Sequence, residues 1–348
     1  MKKILFRVDA SNRSGAGHLI RSVALAQYLH ERGVYVLFLT TPWEEQLISY
    51  LKQQPFEVKF LSISQDECGS EEDLRLLLQE LKEDFDWVVL DNYYFGPDFQ
   101  RAIRNTGSHL LVVDDRENHF IEADILVNHV LEPRCAEFYQ TRVKKCLFGL
   151  KYIYLRREIL RFPKRQKQKV RNILVTLGGS SQMESLSKVM RAISRLMEDF
   201  DFQVKILTGF LDLHEQIRPH ISDAKHRIEV LKPVLEISDL YDWADIAVCA
   251  GGGTCLELCF FGIPGIVGIL IDHQTIVAEA LNQAGAFKSI GWYKNSTEDA
   301  IAQALRSLLQ NPDQVKMMRK KAVQLVDGKG AERIFEAMQQ VLMQKVGK

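Results

Sequence analysis

The sequence predicts an α/β protein built as two doubly wound, Rossmann-like domains that face each other across a cleft. Short apolar runs alternate with longer amphipathic ones through the 348 residues, the pattern breaks once near the middle, and each half opens the same way. In both openings a strand runs into a small-residue turn and then a helix. Residues 3–8 lead to Gly15-Ala16-Gly17, and residues 172–177 lead to Gly178-Gly179-Ser180. Doubly wound sheets bind ligands outside the C-terminal ends of their strands, so these turns are where chemistry is expected.

In the first half, strands are expected at 4–8, 34–39, 58–61, 87–90, 110–113 and 125–127, with helices at 19–31, 44–53, 71–82 and 98–105. Residues 160–171 lose all periodicity and read as a linker. A second series follows, with strands at 173–177, 204–207, 228–231, 246–249 and 265–268. Helices at 184–197, 211–222, 235–243, 254–261 and 274–284 fill its gaps. From 297 the chain is helical nearly to its end, broken at Asp327-Gly328-Lys329-Gly330. The expected division is 1–160, 172–325 and a C-terminal helix within 326–348.

With 46% hydrophobic and 26% charged residues, the composition suits two packed cores. The 45 Lys and Arg balance the 45 Asp and Glu, so no net field holds nucleic acid. The basic run Lys164-Arg165-Gln166-Lys167-Gln168-Lys169-Val170-Arg171 reads as a solvated linker. The start, Met1-Lys2-Lys3-Ile4-Leu5-Phe6, mimics a signal peptide only until Arg7 and Asp9 interrupt it. No stretch approaches the ~18 apolar residues of a membrane helix. A cytoplasmic protein with no membrane insertion is expected, and its cysteines at 68, 135, 146, 249, 255 and 259 should be reduced. Cys255 and Cys259 lie four apart on a predicted helix, but with no CxxC or nearby His they read as packing.

The strongest local signal is Arg7-Val8-Asp9-Ala10-Ser11-Asn12-Arg13-Ser14-Gly15-Ala16-Gly17-His18-Leu19-Ile20-Arg21. A strand enters a polar, glycine-containing loop and an amphipathic helix leaves it. His18 falls on the first helical turn, where the positive end of the dipole opposes protonation, as a general base requires. Arg21 lies one turn on, on the same face, suited to an anion. The loop is not a nucleotide P-loop, since GxxxxGK[ST] is absent. Nor is it a dinucleotide fingerprint, because Ile20 stands at the third glycine position.

A second signal, Cys249-Ala250-Gly251-Gly252-Gly253-Thr254-Cys255-Leu256-Glu257, follows a strand and starts a helix. Its glycine amides and helix N-terminus suit a diphosphate, and Glu257 suits ribose hydroxyls. Gly178-Gly179-Ser180-Ser181 is a third such turn. Asp91-Asn92-Tyr93-Tyr94 and Asp114-Asp115 follow buried strands and should reach the same rim. The paired acids suit helix caps or sugar hydroxyls better than a metal ion, for want of a third carboxylate.

Together these residues resemble the UDP-sugar hydrolases of pseudaminic acid biosynthesis and the related spore-coat polysaccharide synthesis proteins. The likeness rests on Arg7-x-Asp9, Gly15-x-Gly17-His18-x-x-Arg21, Asp91-x-Tyr93, Asp114-Asp115 and Asn128. It continues through Gly149, Tyr152, Leu155-Arg156-x-Glu158, Gly178-Gly179-Ser180 and Asp327-Gly328-x-Gly330-Ala331. The stretch Gly252-Gly253-Thr254, Glu257, Gly262-Ile263-Pro264 and Gln274 is similar to the wider glycosyltransferase-B group, notably the N-acetylglucosaminyltransferase of peptidoglycan synthesis. The chain departs from the family at Asn92, where the family has His, at His273, where it has Asn, and at Ser181, where it has Asp. Those departures leave the sugar open.

The resemblance implies a glycosyltransferase-B fold, with His18 and Tyr93 as catalytic residues. Arg7, Asp9, Gly15, Gly17, Arg21, Asp91, His273 and Gln274 are expected at the substrate, and Gly178, Gly179, Ser180, Gly252, Gly253, Thr254 and Glu257 at UDP. No metal and no cofactor are expected, because UDP is already a good leaving group when helix N-termini stabilise its charge. Water primed by His18 would attack the anomeric carbon with inversion, giving UDP and free 2,4-diacetamido-2,4,6-trideoxy-L-altrose. The expected partners are the UDP-sugar and other enzymes of the sugar pathway. An inverting glycosyltransferase and a nonenzymatic UDP-sugar binder are the alternatives. Release of UDP without an acceptor separates the hydrolase from both.

Overall fold

A computed structural model of the protein describes residues 1–11, 15–115, 120–129, 139, 143–162, 169–178, 183–208, 217, 227–232, 234 and 236–346. The chain divides into two compact units, Met1–Leu160 with Gly328–Lys348, and Arg161–Asp327.

In the first unit, apolar runs form seven parallel strands: β1 (Lys3–Val8), β2 (Tyr35–Thr40), β3 (Glu57–Phe60), β4 (Trp87–Asp91), β5 (His109–Val113), β6 (Ile125–Asn128) and β7 (Lys145–Phe148). Their spatial order is β3-β2-β1-β4-β5-β6-β7. The inner strands are apolar on both faces because helices cover both sides, as an all-parallel sheet requires. The helices are α1 (Gly17–His30), α2 (Glu45–Lys52), α3 (Glu71–Glu80), α4 (Pro97–Asn105) and α5 (Arg157–Arg161). Leu5, Leu37, Leu77, Val88, Leu90, Ile103, Leu110 and Leu126 pack into one core.

The second unit has six parallel strands: β8 (Asn172–Thr176), β9 (Gln203–Leu207), β10 (Ile228–Leu231), β11 (Ile246–Ala250), β12 (Gly265–Ile269) and β13 (Phe287–Trp292). Their order, β10-β9-β8-β11-β12-β13, is that of a dinucleotide-type Rossmann sheet. Its helices are α6 (Met183–Leu196), α7 (Ser238–Trp243), α8 (Gly253–Phe261), α9 (Gln274–Gln283), α10 (Glu298–Gln310) and α11 (Pro312–Leu325). Ile173, Val175, Val189, Ile193, Val204, Val248 and Ile266 lie at its centre.

The final helix, α12 (Gly330–Val346), returns to the first unit and packs on α1. The Tyr28 and Phe335 rings lie 6.2 Å apart, and Arg333 Nη1 donates to the Lys151 carbonyl at 2.7 Å. The glycine that opens this helix is sterically required. A Cβ on Gly330 would stand 2.0 Å from the Ile153 carbonyl oxygen.

The edge strands β7 and β13 do not stand out in the sequence. An edge strand buries less of itself, so Lys145-Cys146-Leu147-Phe148 and Phe287-Lys288-Ser289-Ile290-Gly291-Trp292 keep polar residues that dilute the apolar signal. The helix expected at 211–222 lies outside the described residues except for Ile217.

Candidate active site

Val8, the last residue of β1, lies opposite Asp91, the last residue of β4. Between these strands the winding reverses, with β2 and β3 to one side and β5 to β7 to the other. The loops that follow them therefore diverge and leave a crevice at the C-terminal edge of the sheet. Backbone bonds close the first loop, Gly15 N to Ser11 O at 2.7 Å and Ser11 N to Gly15 O at 3.3 Å, with Gly15 at φ +69°. Helix α1 then begins at Gly17, which places His18 on its first turn, 5% exposed.

The imidazole is held on several sides. His18 Nδ1 lies 2.7 Å from Asp91 Oδ1 and 2.8 Å from Arg21 Nη2. The Tyr93 ring meets the imidazole edge-on, with centroids 4.6 Å apart. Arg21 Nε donates to Asp91 Oδ2 at 2.7 Å and Nη1 donates to Asp115 Oδ2 at 2.8 Å. Ser22 Oγ donates to Asp91 Oδ2 at 2.9 Å, and Tyr93 Oη to Asp115 Oδ1 at 2.6 Å. Nδ1 faces an acceptor, Asp91, and a donor, Arg21; with the carboxylate the nearer, Nδ1 is assigned the proton, the Arg21 contact is then a close approach and not a hydrogen bond, and Nε2 keeps its lone pair.

Burial works against the charge of Asp91, but the Arg21 guanidinium and then His18 outweigh it and hold the carboxyl at about 2. Burial likewise opposes the charge of Asp115. Arg21, His18 and the Tyr93 hydroxyl keep it well below the usual carboxylate range. Burial, followed by Asp115, pushes the Tyr93 phenol above its ordinary value. At neutral pH the cluster thus holds two carboxylates, one guanidinium and a protonated phenol around the imidazole.

Several residues expected at the substrate have partners within the protein. Asp91 is fully buried and its oxygens are engaged by His18, Arg21 and Ser22, so it orients the imidazole. Arg21 spans Asp91 and Asp115 with its guanidinium and so stabilises that carboxylate pair. Arg7 and Asp9 are buried as well. Arg7 Nε and Nη2 donate to Asp73 at 2.8 and 2.9 Å, and Nη1 pairs with Asp9 Oδ2 at 2.6 Å. Asp9 also accepts from Thr41 N at 2.6 Å, from Thr41 Oγ1 at 2.9 Å and from the Tyr94 hydroxyl. A strand covered on both faces turns such side chains into the packing, here toward α3. Asn92, next to Asp91, accepts from Asp9 N at 2.7 Å and donates to Asp9 O at 3.3 Å, tying the two strand-end loops together.

The reversal in the second unit lies between β8 and β11. Gly178 follows β8 at φ +87°, while Gly179 and Ser180 lie outside the described residues. Gly252 caps α8, and a Cβ on Gly252 or Gly253 would meet no heavy atom within 4 Å. Gly251 is different. A Cβ there would stand 2.5 Å from the carbonyl oxygen of Gln274, the first residue of α9, so the N-termini of α8 and α9 are pressed against one another. The start of α8, where Gly252 and Gly253 carry no side chain, suits a diphosphate. Gln274, expected at the substrate, is buried and its Oε1 accepts from Leu270 N at 2.9 Å, shaping the turn. His273 is exposed beside it and Thr254 is half-buried. Glu257 accepts from the Tyr241 hydroxyl at 2.7 Å.

Ser22 was not among the expected site residues, and Asp115 was expected only at the rim. Asp115 carried a signal, since it follows a buried strand, whereas Ser22 looks like any small helical residue. Among the described residues no group of three or more His, Cys, Asp or Glu side chains is arranged to hold a metal ion. Cys255 and Cys259 are buried in α8, and no described helix is long and apolar enough to cross a membrane.

Residues 172–337 match the glycosyltransferase family 28 C-terminal domain. The chain is 27% identical to an uncharacterized protein of Methanocaldococcus jannaschii over 76% of its own length and 55% of that protein's. It is 22% identical to the spore coat polysaccharide biosynthesis protein SpsG of Bacillus subtilis, over 97% of the chain and 98% of the relative. It is 27% identical to the UDP-2,4-diacetamido-2,4,6-trideoxy-beta-L-altropyranose hydrolase of Campylobacter jejuni, over 70% of the chain and 87% of the relative. Among solved structures, MurG of Acinetobacter baumannii aligns with a TM-score of 0.66 at 19% identity, covering 98% of this chain and 100% of that one. The S. aureus MnaA–UDP co-structure aligns at 0.70 and 15%, covering 98% and 97%. The chain therefore has the glycosyltransferase-B fold of two Rossmann-like units, and its second half carries the family 28 match.

Proposed function

We propose that this protein hydrolyses a UDP-linked amino-deoxy sugar, with His18 as the general base. The observation that supports this most is the His18–Asp91 contact of 2.7 Å, which leaves Nε2 as the nitrogen able to take a proton. In the proposed step, Nε2 removes a proton from water as the water oxygen bonds to the anomeric carbon. The bond from that carbon to the diphosphate oxygen breaks, and UDP leaves with the electron pair. The anomeric centre inverts, and the proton passes from His18 to solvent. Asp91 steadies the imidazolium that forms, as an orienting carboxylate does in other His-dependent hydrolases. Tyr93 walls the ring and positions Asp115. The start of α8 at Gly252 and Gly253, where no side chain blocks the approach, is the proposed seat of the diphosphate.

The sugar we favour is 2,4-diacetamido-2,4,6-trideoxy-β-L-altropyranose, which the name of the Campylobacter jejuni relative supplies. A second reading, an inverting glycosyltransferase whose acceptor hydroxyl replaces water, draws support from the family 28 match. The same base would serve both. The deciding experiment incubates the protein with a panel of UDP-amino sugars, with no acceptor and with EDTA present, and identifies products by mass spectrometry and NMR. UDP and free sugar are expected, with oxygen from labelled water in the sugar. Label in UDP would mean attack at phosphorus and would remove His18 from this role. UDP release only when an acceptor is added would favour the transferase.

A further inference from the structure

Two buried polar groups at the same sheet edge have no part in this scheme. Strand β6 lies beside β5, with Val127 opposite Val113, so His129 stands one strand over from Asp114 and Asp115. Strand β7 comes next, and the chain passes through the turn Leu150–Tyr152 to Tyr154. The His129 and Tyr154 rings lie 6.5 Å apart and nearly perpendicular, and the two residues are 8% and 6% exposed. His129 Nδ1 and Tyr154 Oη are fully enclosed and make no hydrogen bond among the described residues.

Native proteins keep very few enclosed polar atoms without partners, because each loses its water and gains nothing in return. Two such atoms on adjacent rings call for a reason. The pair also stands near the catalytic cluster, because β6 neighbours β5 and β5 neighbours β4, which ends at Asp91. Burial and then Arg21 push the His129 imidazole down to about 4, and burial pushes the Tyr154 phenol above its usual range. Both are neutral at pH 7.

A neutral hydroxyl and a neutral ring nitrogen offer one donor and one acceptor. A secondary amide asks for that combination, its carbonyl accepting from Tyr154 and its N–H donating to His129. An anionic group would suffer from the carboxylates of Asp91 and Asp115 alongside. We infer that, once the packing over them opens to the bound nucleotide-sugar, His129 and Tyr154 recognise an uncharged N-acylamino substituent on its sugar. This inference rests on the proposed function and assigns two residues to the part of the substrate that distinguishes one sugar from another.

The test is titration calorimetry on the full chain, made in the His18→Ala background to stop turnover. The probes are UDP and UDP-2,4-diacetamido-2,4,6-trideoxy-β-L-altropyranose. Tyr154→Phe and His129→Leu are expected to weaken the sugar-nucleotide about 5- to 100-fold and to leave UDP unchanged. His129→Asn, which keeps a polar atom near Nδ1, should recover most of that loss. Tyr154→Phe should melt no lower than its parent, because it deletes an unsatisfied hydroxyl. A lower melting temperature with both affinities unchanged would make the pair structural and overturn the inference. If the native protein releases UDP from no member of the panel, the proposed function itself fails. If it does release UDP while Tyr154→Phe binds the sugar-nucleotide normally, only this pair is lost.

Discussion

The two sheets reverse their winding in the same way, yet they dress the resulting crevices differently. At the β1–β4 edge the loops carry interlocked side chains: His18, Arg21 and Ser22 from α1, Asp91 from β4, and Tyr93 and Asp115 beyond. At the β8–β11 edge the chain presents bare glycine backbone at the start of α8. The contrast fits the two tasks proposed for these edges. Moving a proton needs one nitrogen fixed in tautomer and direction, and only a dense shell of partners can fix it. Holding a diphosphate needs several amides and no side chain in the way.

The largest expected effect is on the first crevice. His18→Ala should lower turnover about 10²- to 10⁴-fold while UDP affinity, read by calorimetry, stays near normal. Near-normal turnover would end the assignment of His18. Asp91→Asn should cost turnover about 10- to 1,000-fold, because the amide no longer dictates which imidazole nitrogen is protonated. It also leaves Arg21 with one fewer buried carboxylate, so a destabilisation of about 3–5 kcal/mol in chemical denaturation should accompany it. Loss of stability without loss of specific activity would make Asp91 a packing residue only.

The second crevice should respond in the opposite sense. Gly253→Ala adds a methyl where no heavy atom lies within 4 Å, so the melting temperature should hold while UDP binds about tenfold more weakly. A variant that binds UDP normally would move the diphosphate elsewhere.

The smallest effect is on pH dependence, and it sharpens the same contrast because the titrating groups sit at the first crevice. Asp91, at about 2 in the fold, is charged there while an unfolded aspartate takes up a proton near pH 4. The stability it contributes is complete above about pH 4 and is lost as pH falls toward 2. His129, at about 4 in the fold against about 6.5 unfolded, acts in a higher window. Between about pH 6.5 and 4 the unfolded chain binds a proton that the fold refuses, so stability declines with falling pH. In denaturation curves across that window, His129→Leu should have the shallower slope. An unchanged slope would mean that another group sets it.

The local loops were legible where one stretch of chain does the whole job. The run from Arg7 to His18 shows a strand end, a turn and a helix start, and these put the imidazole on the first turn whatever surrounds it. The glycines at 251–253 are legible for the same reason. Arg7 and Asp9 look equally functional in the sequence, but sheet burial turned them inward. Their partner Asp73 looks like one more acid in the solvated first turn of α3, beside Glu71 and Glu72, yet it is fully buried against Arg7. Gly330, part of the resemblance motif, turns out to be needed where α12 crosses Ile153. Asn92, a departure from that motif, bridges two loops by their backbone.

The sequence alone determined the two α/β units and the positions of the turns, because hydrophobic period and glycine placement act over a few neighbouring residues. It also placed His18 at a helix start. Only the tertiary structure decided which of the polar residues at the strand ends face the crevice and which are spent on one another. That choice depends on hydrogen bonds between positions some 70 to 95 residues apart, such as His18 with Asp91 and Arg21 with Asp115. No local pattern records such pairings, since parallel strands bring together loops that are distant along the chain.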